Sequence, residues 1–176
     1  MKKILTSILA ASAVLSMAIP ANAALQRGTQ APAFRTNGAL AGKTFSFDLA
    51  RELRKGPVVV YFFPKAFTQG CTLEARAFAE AMGDFRAAGA QVIGLSGDDI
   101  DTLKRFSTEE CRDAFPVGQA SKAIIDGYDV AFGNGEMSNR TSYVIAQDGR
   151  VVMVHSDLDW REHVSRSLAA VRALKS

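Results

Sequence analysis

The sequence is poor in the residues that build dithiol, haem and metal sites. Its 176 residues include two cysteines and two histidines. Cys71 and Cys111 lie far apart and form no Cys-x-x-Cys pair, which excludes the common dithiol and haem-attachment motifs. His155 and His163 fall on different predicted elements, and their spacing is not typical of metal ligands. We therefore expect no metal ion and no organic cofactor.

Strong charge of one sign and long apolar runs are also missing from most of the chain. The formal net charge is +3, and no basic cluster with interleaved aromatic residues occurs, so we do not expect nucleic acid as a partner. After residue 23 no run is long and apolar enough to predict a membrane span. Hydrophobic residues make up 48 % of the sequence, enough for the core of one domain of ordinary size.

Residues 1–23 have the pattern of a secretory signal peptide. Two lysines precede an apolar stretch that is broken by Pro20, and the small-x-small sequence Ala-Asn-Ala ends at Ala23. At about 16 residues the apolar stretch is short for a ~30 Å bilayer core, so we predict cleavage after Ala23 rather than a membrane anchor. A signal of this form predicts a periplasmic protein with one domain, residues 24–176. That compartment is oxidising, so two cysteines could persist there as a disulfide.

A strand–helix–strand unit is the clearest structural pattern. Residues 57–63, PVVVYFF, form a continuous apolar run, as expected of a strand buried on both faces. Residues 71–88 predict a helix that ends at Gly89, and residues 91–96, QVIGLS, predict the next strand. The expected core stripe of the helix comprises Leu73, Ala77, Ala81 and Phe85, with Phe78 and Met82 beside it. Two strands joined through a helix should be parallel, with a right-handed crossover.

Shorter elements precede and follow this unit. Residues 37–47 predict a hairpin with turns at Asn37-Gly38 and Gly42, followed by a short helix from Asp48 to Lys55. Asp98 or Asp99 should cap a helix that runs to about Cys111.

The remaining segment, 112–139, reads as irregular with one short helix. The segments TSYVIA and VVMVH, joined around an Asp-Gly turn, predict a second hairpin, and a closing helix follows. The core-facing stripe of that helix comprises Trp160, Val164, Leu168, Val171 and Leu174. This order predicts the α/β class and a thioredoxin-like fold, in which helices flank a mixed central sheet and a hairpin extends the N-terminus.

Cys71 is placed where its thiol should ionise readily. It sits at the predicted start of a helix, at the carboxyl edge of the sheet, where unpaired N–H groups and the helix dipole favour a thiolate. Free cysteine titrates near pH ~8.5, and such surroundings lower that value. Gly70 permits close approach, Pro64 ends the strand, and the hydroxyl of Thr68 can turn toward the sulfur. A lone thiolate among donors suits oxygen transfer to sulfur, which gives a sulfenic acid.

Pro64, Thr68 and Cys71 fit the Pro-x-x-x-Thr-x-x-Cys signature of the peroxiredoxin family, and the sequence resembles that family from about residue 28 onward. The continuation CTLEA and the segment SNRTSYVIAQDGRVV add to the resemblance, which is strongest to the Q-type, or bacterioferritin comigratory, members. It implies a thiol peroxidase in which Cys71 is the nucleophile and Thr68 hydrogen-bonds the thiolate and the peroxide. Pro64 would shield the site, Arg140 would activate the thiol and stabilise the transition state, and Glu74 would orient Arg140.

The same resemblance suggests how the sulfenic acid is resolved. Many Q-type members carry a second cysteine on the same helix, where this chain has Arg76. Others carry it on the following helix shortly before a Phe-Pro pair, and Cys111 precedes Phe115-Pro116. The resemblance therefore implies a Cys71–Cys111 disulfide that needs local unwinding, since disulfide Cα atoms lie within about 7 Å. The expected partners are a peroxide and a thioredoxin-like or other dithiol reductant, and the expected state is a monomer or simple dimer.

Two other functions on the same fold are less compatible with the sequence. A periplasmic thiol–disulfide oxidoreductase would need cysteine where Thr68 stands. A copper-binding module would need a Cys-x-x-x-Cys motif, whose second position is Ala75. A structural disulfide and an inactive, ligand-binding relative stay open as alternatives.

Overall fold

The computed structural model describes residues 24–175, so the predicted signal peptide lies outside the described residues. An N-terminal hairpin is formed by β1 (Arg35–Leu40) and β2 (Lys43–Asp48), and the short helix α1 (Leu49–Leu53) follows. The central unit comprises β3 (Val58–Phe62), α2 (Gln69–Ala87), β4 (Gln91–Ser96), α3 (Ile100–Glu109), β5 (Val117–Gln119) and α4 (Lys122–Gly127). The C-terminal part comprises β6 (Ala131–Phe132), β7 (Met137–Ser138), β8 (Thr141–Ile145), β9 (Val151–Ser156), a 3₁₀ turn (Trp160–Glu162) and α5 (His163–Ala173).

Seven of these strands form one mixed sheet in the order β2-β1-β5-β4-β3-β8-β9. The pairs β3/β4 and β4/β5 are parallel, as strands joined through helices should be. The two hairpins add antiparallel strands at the edges, and β6 and β7 form a separate small ribbon. The thioredoxin-like fold with an N-terminal hairpin is thereby confirmed.

The continuous apolar run of β3 is explained by its place in the middle of the sheet. All five of its residues are buried. Val59 and Tyr61 pack into the cluster formed with α2, α3 and α5, whereas Val60 and Phe62 pack into the cluster on the opposite face, with α1 and α4. Since both faces are covered by helices, neither alternate set of side chains can be polar.

The helices α1, α2, α3 and α5 occur where the sequence predicts them. Asp48 caps α1 by accepting from Arg51 N, and Asp99 caps α3 by accepting from Thr102 N. Gly89 adopts φ +75° just after α2, as expected of a glycine that ends a helix. Among the described residues, no helix combines the length and hydrophobicity needed to span a membrane.

The packing face of α2 differs from the predicted stripe. Leu73 is 38 % exposed, and the buried positions are Cys71, Glu74, Ala75, Phe78, Met82 and Phe85. A buried polar residue, Glu74, occupies the face on which an apolar side chain was expected. Phe78, Met82 and Phe85 are buried as predicted, and the prediction is wrong at Leu73, because a polar group that belongs to the core cannot be distinguished in the sequence from a solvated one. Leu174, predicted to face the core, is likewise 41 % exposed, since α5 ends at Ala173.

Three predictions about the short elements are wrong. Asn37 and Gly38 lie within β1, and the hairpin turns at Ala41 and Gly42, both with positive φ. Gly38 is required for packing rather than for a turn, because a Cβ there would lie 2.8 Å from the carbonyl oxygen of Val117. The segment expected to be irregular also contains β5, which pairs with β1 and β4. Finally, α3 ends at Glu109, so Cys111 lies beyond the helix.

Candidate active site

The loop from β3 to α2 is held in place by side chains of the neighbouring strand end. Ala66 N donates to Asp98 Oδ2 at 2.7 Å, and the hydroxyl of Ser96 donates to the same oxygen at 2.8 Å. Phe67 has φ +64°, and its ring packs edge-on against Phe106 at 5.2 Å between centroids. This anchoring fixes the start of α2 relative to the carboxyl edge of the sheet.

Cys71 lies in the first turn of α2 and is almost fully buried, at 1 % exposure. The Nη2 atom of Arg140 donates to Cys71 Sγ at 3.4 Å. Gly70 permits this approach, because a Cβ at that position would lie 3.0 Å from the same Nη2 atom. The sulfur in this position faces both the positive end of a helix and a guanidinium, so positive potential surrounds it.

Arg140 is fixed at three points although it is only 5 % exposed. Besides Cys71, its Nη1 atom forms an ion pair with Glu74 Oε2, and its Nε atom donates to Leu158 O at 2.9 Å. Burial disfavours the charge of Arg140, but the negative groups at Glu74 and Cys71 outweigh burial and raise its pKa. The guanidinium therefore stays charged in the core.

Glu74 is a fully buried carboxyl group one helical turn after Cys71, so both side chains face Arg140. Burial raises the pKa of Glu74 to about 8, against the opposing effect of Arg140. Its Oε1 atom has no hydrogen-bond partner among the described residues and lies 3.6 Å from His163 Nδ1. Burial therefore works against the negative charge that the ion pair with Arg140 favours.

Thr68 and Pro64 lie on the loop that precedes Cys71, and their predicted roles stay predictions. Thr68 is the exposed N-cap residue of α2, and its hydroxyl donates to Lys65 O at 2.9 Å. In this arrangement the hydroxyl oxygen, rather than its hydrogen, is free to meet an incoming group. Pro64 is partly buried directly after β3.

Cys111 is a fully buried free thiol in a tight turn after α3. Arg112 and Asp113 both adopt positive φ, of 51° and 56°, a conformation that is costly for residues other than glycine. Burial raises the pKa of Cys111 well above its ordinary value, and the nearby carboxylates of Glu110 and Asp113 add to this effect.

The turn that holds Cys111 is tied to α2 by an ion pair and a hydrogen bond. Arg76 Nε pairs with Glu110 Oε2 at 2.7 Å, and Arg86 Nη2 donates to Ala114 O at 2.7 Å. Arg76 thus occupies the position at which some Q-type relatives carry a cysteine, and here it holds the segment that contains Cys111.

The structure brings Cys71, Glu74 and Arg140 into direct contact, while Thr68 and Pro64 lie on the same loop and Cys111 lies in a separate turn. Sequence reasoning missed His163, which contacts Glu74, and Asp98, which anchors the loop. No local pattern marks either residue, since both act through contacts between elements distant in the chain. Within residues 24–175 no group of three or more His, Cys, Asp or Glu side chains could hold a metal ion.

Residues 27–154 match the AhpC/TSA family. The chain is 31 % identical to a putative peroxiredoxin of Mycobacterium tuberculosis over 154 residues, which are 81 % of this chain and 92 % of that protein. It is also 31 % identical to the chloroplastic peroxiredoxin Q of Populus jackii over 135 residues, 76 % of this chain and 62 % of that protein. The chain therefore spans about three fifths of the length of that plant relative. It belongs to the AhpC/TSA family.

Solved structures agree with this assignment. The crystal structure of peroxidoxin BcpB from Mycobacterium tuberculosis has a TM-score of 0.78 at 28 % identity, covering 86 % of this chain and 99 % of that one. Peroxiredoxin Q from Xanthomonas campestris has a TM-score of 0.69 at 27 % identity, covering 80 % of this chain and 91 % of that one. The resemblance to Q-type peroxiredoxins is thereby confirmed.

Proposed function

We propose that this protein is a thiol-dependent peroxidase that reduces hydrogen peroxide and organic hydroperoxides. The observation that carries the proposal is the 3.4 Å contact between Arg140 Nη2 and Cys71 Sγ at the start of a helix. The names of its relatives and structural neighbours, which are called peroxiredoxins, support the same activity.

In the first step the Cys71 thiolate attacks the terminal oxygen of the hydroperoxide. A sulfur–oxygen bond forms while the oxygen–oxygen bond breaks, and the leaving hydroxide or alkoxide takes a proton from the solvent to become water or alcohol. Cys71 is thereby oxidised to a sulfenic acid. Arg140 and the N–H groups at the start of α2 stabilise the negative charge that moves onto the leaving oxygen. Thr68 hydrogen-bonds the peroxide, and Pro64 shields the sulfur from water.

The second step joins the two cysteines. The Cys111 thiol displaces the hydroxyl group of the Cys71 sulfenic acid as water, and an intramolecular disulfide forms. A thioredoxin-like dithiol then reduces the disulfide, becoming oxidised itself. The turn around Cys111 must open for this step, and the positive φ values of Arg112 and Asp113 make it the more easily opened of the two sites.

Peroxide consumption by matched cysteine variants tests this mechanism. Cys71→Ser should abolish turnover, whereas Cys111→Ser should keep one rapid oxidation, cycle slowly and over-oxidise at Cys71. If Cys111→Ser cycles normally with the same dithiol donor, the two-cysteine cycle is wrong and resolution by a small external thiol replaces it. If Cys71→Ser retains turnover, the proposed peroxidase site is wrong.

We also propose that the protein is exported to the periplasm after removal of residues 1–23. The proposal rests on the sequence pattern that ends at Ala23. Mass spectrometry of the protein from a periplasmic fraction should give a mature chain that begins at Ala24. An intact N-terminus in the cytoplasmic fraction would contradict it.

A further inference from the structure

A chain of buried polar groups continues from Arg140 into the core, beyond the residues that the proposed reaction uses. Glu74, Ser142 and His163 each have an exposed fraction of 0 %. His163 Nδ1 lies 2.9 Å from the Ser142 hydroxyl and 3.6 Å from Glu74 Oε1. The histidine of α5 is thus the next ionisable group after the Cys71–Arg140–Glu74 contacts.

His163 also supports the segment that holds Arg140. Its Nε2 atom lies 2.9 Å from the carbonyl oxygen of Asp157. The backbone N–H of Asp157 donates to Arg140 O at 3.2 Å, and the next residue, Leu158, accepts from Arg140 Nε. One imidazole ring therefore lies beside Glu74, the carboxyl partner of the guanidinium, and binds Asp157, the residue before its backbone partner Leu158.

The contact with Asp157 fixes the tautomer of the ring. A carbonyl oxygen only accepts, so His163 Nε2 must carry a hydrogen, and in the neutral ring Nδ1 is then a bare acceptor. Ser142 can donate to Nδ1, but the hydroxyl is the only donor that Nδ1 meets at hydrogen-bond distance among the described residues. Glu74 Oε1 has no hydrogen-bond partner among the described residues and lies 3.6 Å from the same nitrogen, beyond hydrogen-bond distance. A proton carried by either of these two atoms would neutralise the charge of the carboxylate.

The charges of the buried cluster also favour a proton on Glu74 or His163. Arg140 is one cation in contact with two groups that can be negative, the Cys71 sulfur and Glu74. If both were ionised, the buried cluster would carry a net negative charge, and Glu74 would compete with the thiolate for the guanidinium. An uncompensated charge in the core is costly, so one of the two anions should be neutralised.

We propose, building on the peroxidase function above, that His163 is a positioning residue that acts through Glu74. With Glu74 it holds one buried proton, so that the charge of Arg140 acts chiefly on the Cys71 sulfur. The proton can sit on Glu74 Oε1 or on His163 Nδ1, and in either case it cancels the charge of the carboxylate.

The other ionisable groups around Glu74 and His163 do not hold this buried proton. Tyr61 of β3 is close enough to act electrostatically on Glu74, but burial raises its pKa and keeps it neutral. The ring of His155 of β9 lies 4.4 Å from that of His163 between centroids, at a tilted angle, and burial lowers the pKa of His155. Asp157 and Asp159 act on His163 from the segment before α5. Burial lowers the pKa of His163 to about 4, consistent with a proton that resides on Glu74 at neutral pH.

The test follows thiolate formation at Cys71 without peroxide, in the full chain carrying Cys111→Ser so that Cys71 is the only thiol. Thiolate absorbance and alkylation rate are recorded against pH. His163→Gln keeps a donor for Asp157 O but removes the ring nitrogen that shares the buried proton with Glu74. It should therefore move thiolate formation to higher pH and lower the alkylation rate about tenfold below neutrality, as expected for a change of about one pKa unit. Added to Glu74→Gln, the same substitution should cause no further change. Ser167→Ala, a buried change on the same helix, is the matched control and should shift nothing.

A shift of equal size with and without Glu74→Gln, or no shift in His163→Gln, would overturn the proposal. A measurement on the unsubstituted protein keeps it testable if a variant does not fold. At pH 7 the pair should show either the infrared carbonyl band of a protonated carboxyl group or a doubly protonated His163 ring in ¹⁵N NMR spectra. A carboxylate facing a neutral ring would contradict it. Failure of peroxide consumption would instead refute the proposed function, because these titrations contain no peroxide.

Discussion

The two cysteines are buried to the same degree but have opposite electrostatic surroundings. Cys71 faces the guanidinium of Arg140 at the start of a long helix, whereas the ionisable groups that act on Cys111 are the carboxylates of Glu110 and Asp113. Since burial is nearly the same at both positions, the neighbouring charge distinguishes them, positive at Cys71 and negative at Cys111. Burial alone therefore does not make a cysteine structural or reactive.

The two regions also differ in how they are held. Arg140 is fixed by three polar contacts inside the core, and Cys71 sits in a regular helical turn. Cys111 sits in a turn with two residues at positive φ, tied to α2 by partly exposed arginines. A site that must present a nucleophile is preorganised, and a site that must move is secured by contacts of small net strength.

Removing the guanidinium of Arg140 should reduce the difference between Cys71 and Cys111 more than any other change. Arg140→Ala is expected to slow the reaction of Cys71 with peroxide by roughly two orders of magnitude, because it removes one anion-stabilising group from a buried site. Stopped-flow oxidation at fixed pH measures this rate. Arg150→Ala, which removes an exposed arginine from the β8–β9 turn, is the control. Equal rates for Arg140→Ala and the control would show that the guanidinium does not act on the sulfur.

The buried Glu74 beside Cys71 should make the free energy of unfolding depend on pH. Its pKa in the folded protein is raised to about 8, so its contribution to stability is full below the ordinary value of 4.5 and is lost as pH rises through 8. Relative to Glu74→Gln, the unsubstituted protein should therefore lose about 2 kcal/mol between pH 5.5 and pH 7. Urea unfolding at several pH values measures the difference. Parallel curves for the two proteins would refute the raised pKa.

Loosening the Cys111 turn should have the smallest effect. Arg76→Ala removes an ion pair with Glu110 in which the arginine side chain is 44 % exposed, and such pairs contribute about 1 kcal/mol or less. Disulfide formation after oxidation of Cys71 should accelerate by a factor of about 2 to 5, as measured by quenched-flow mass spectrometry. Lys122→Ala, which breaks a surface ion pair in α4, should leave the rate unchanged. A slower rate in Arg76→Ala would mean that the ion pair assists resolution.

Much of the fold could be predicted because its signals are local. The apolar run of β3, the N-cap Asp99 and the terminating Gly89 each specify an element from a few neighbouring residues. The three-residue strand β5 has no such signal, since it exists only because β1 and β4 pair with it. The turn predicted at Gly38 is wrong for the same reason, because the glycine is needed for its close contact with Val117 of a distant strand.

The residues of the candidate site also differ in whether a local sequence signal marks them. The short signature around Thr68 and Cys71 is visible in one stretch of sequence, and the strand that follows Arg140 could be recognised from its hairpin. The contact between Glu74 and His163 joins α2 to α5, and neither residue differs locally from an ordinary helix residue near a terminus. The predicted apolar stripe therefore includes the exposed Leu73 and omits the buried Glu74.

One measurement tests the central claim most directly, namely that Cys71 is the reactive sulfur and Cys111 its resolving partner. Reduced protein is treated with one equivalent of hydrogen peroxide, quenched with an alkylating reagent and analysed by peptide mass spectrometry. The account predicts a monomeric product whose peptides are linked through Cys71 and Cys111, with neither thiol alkylated. Recovery of an alkylated, unoxidised Cys71 after the peroxide has been consumed would contradict it.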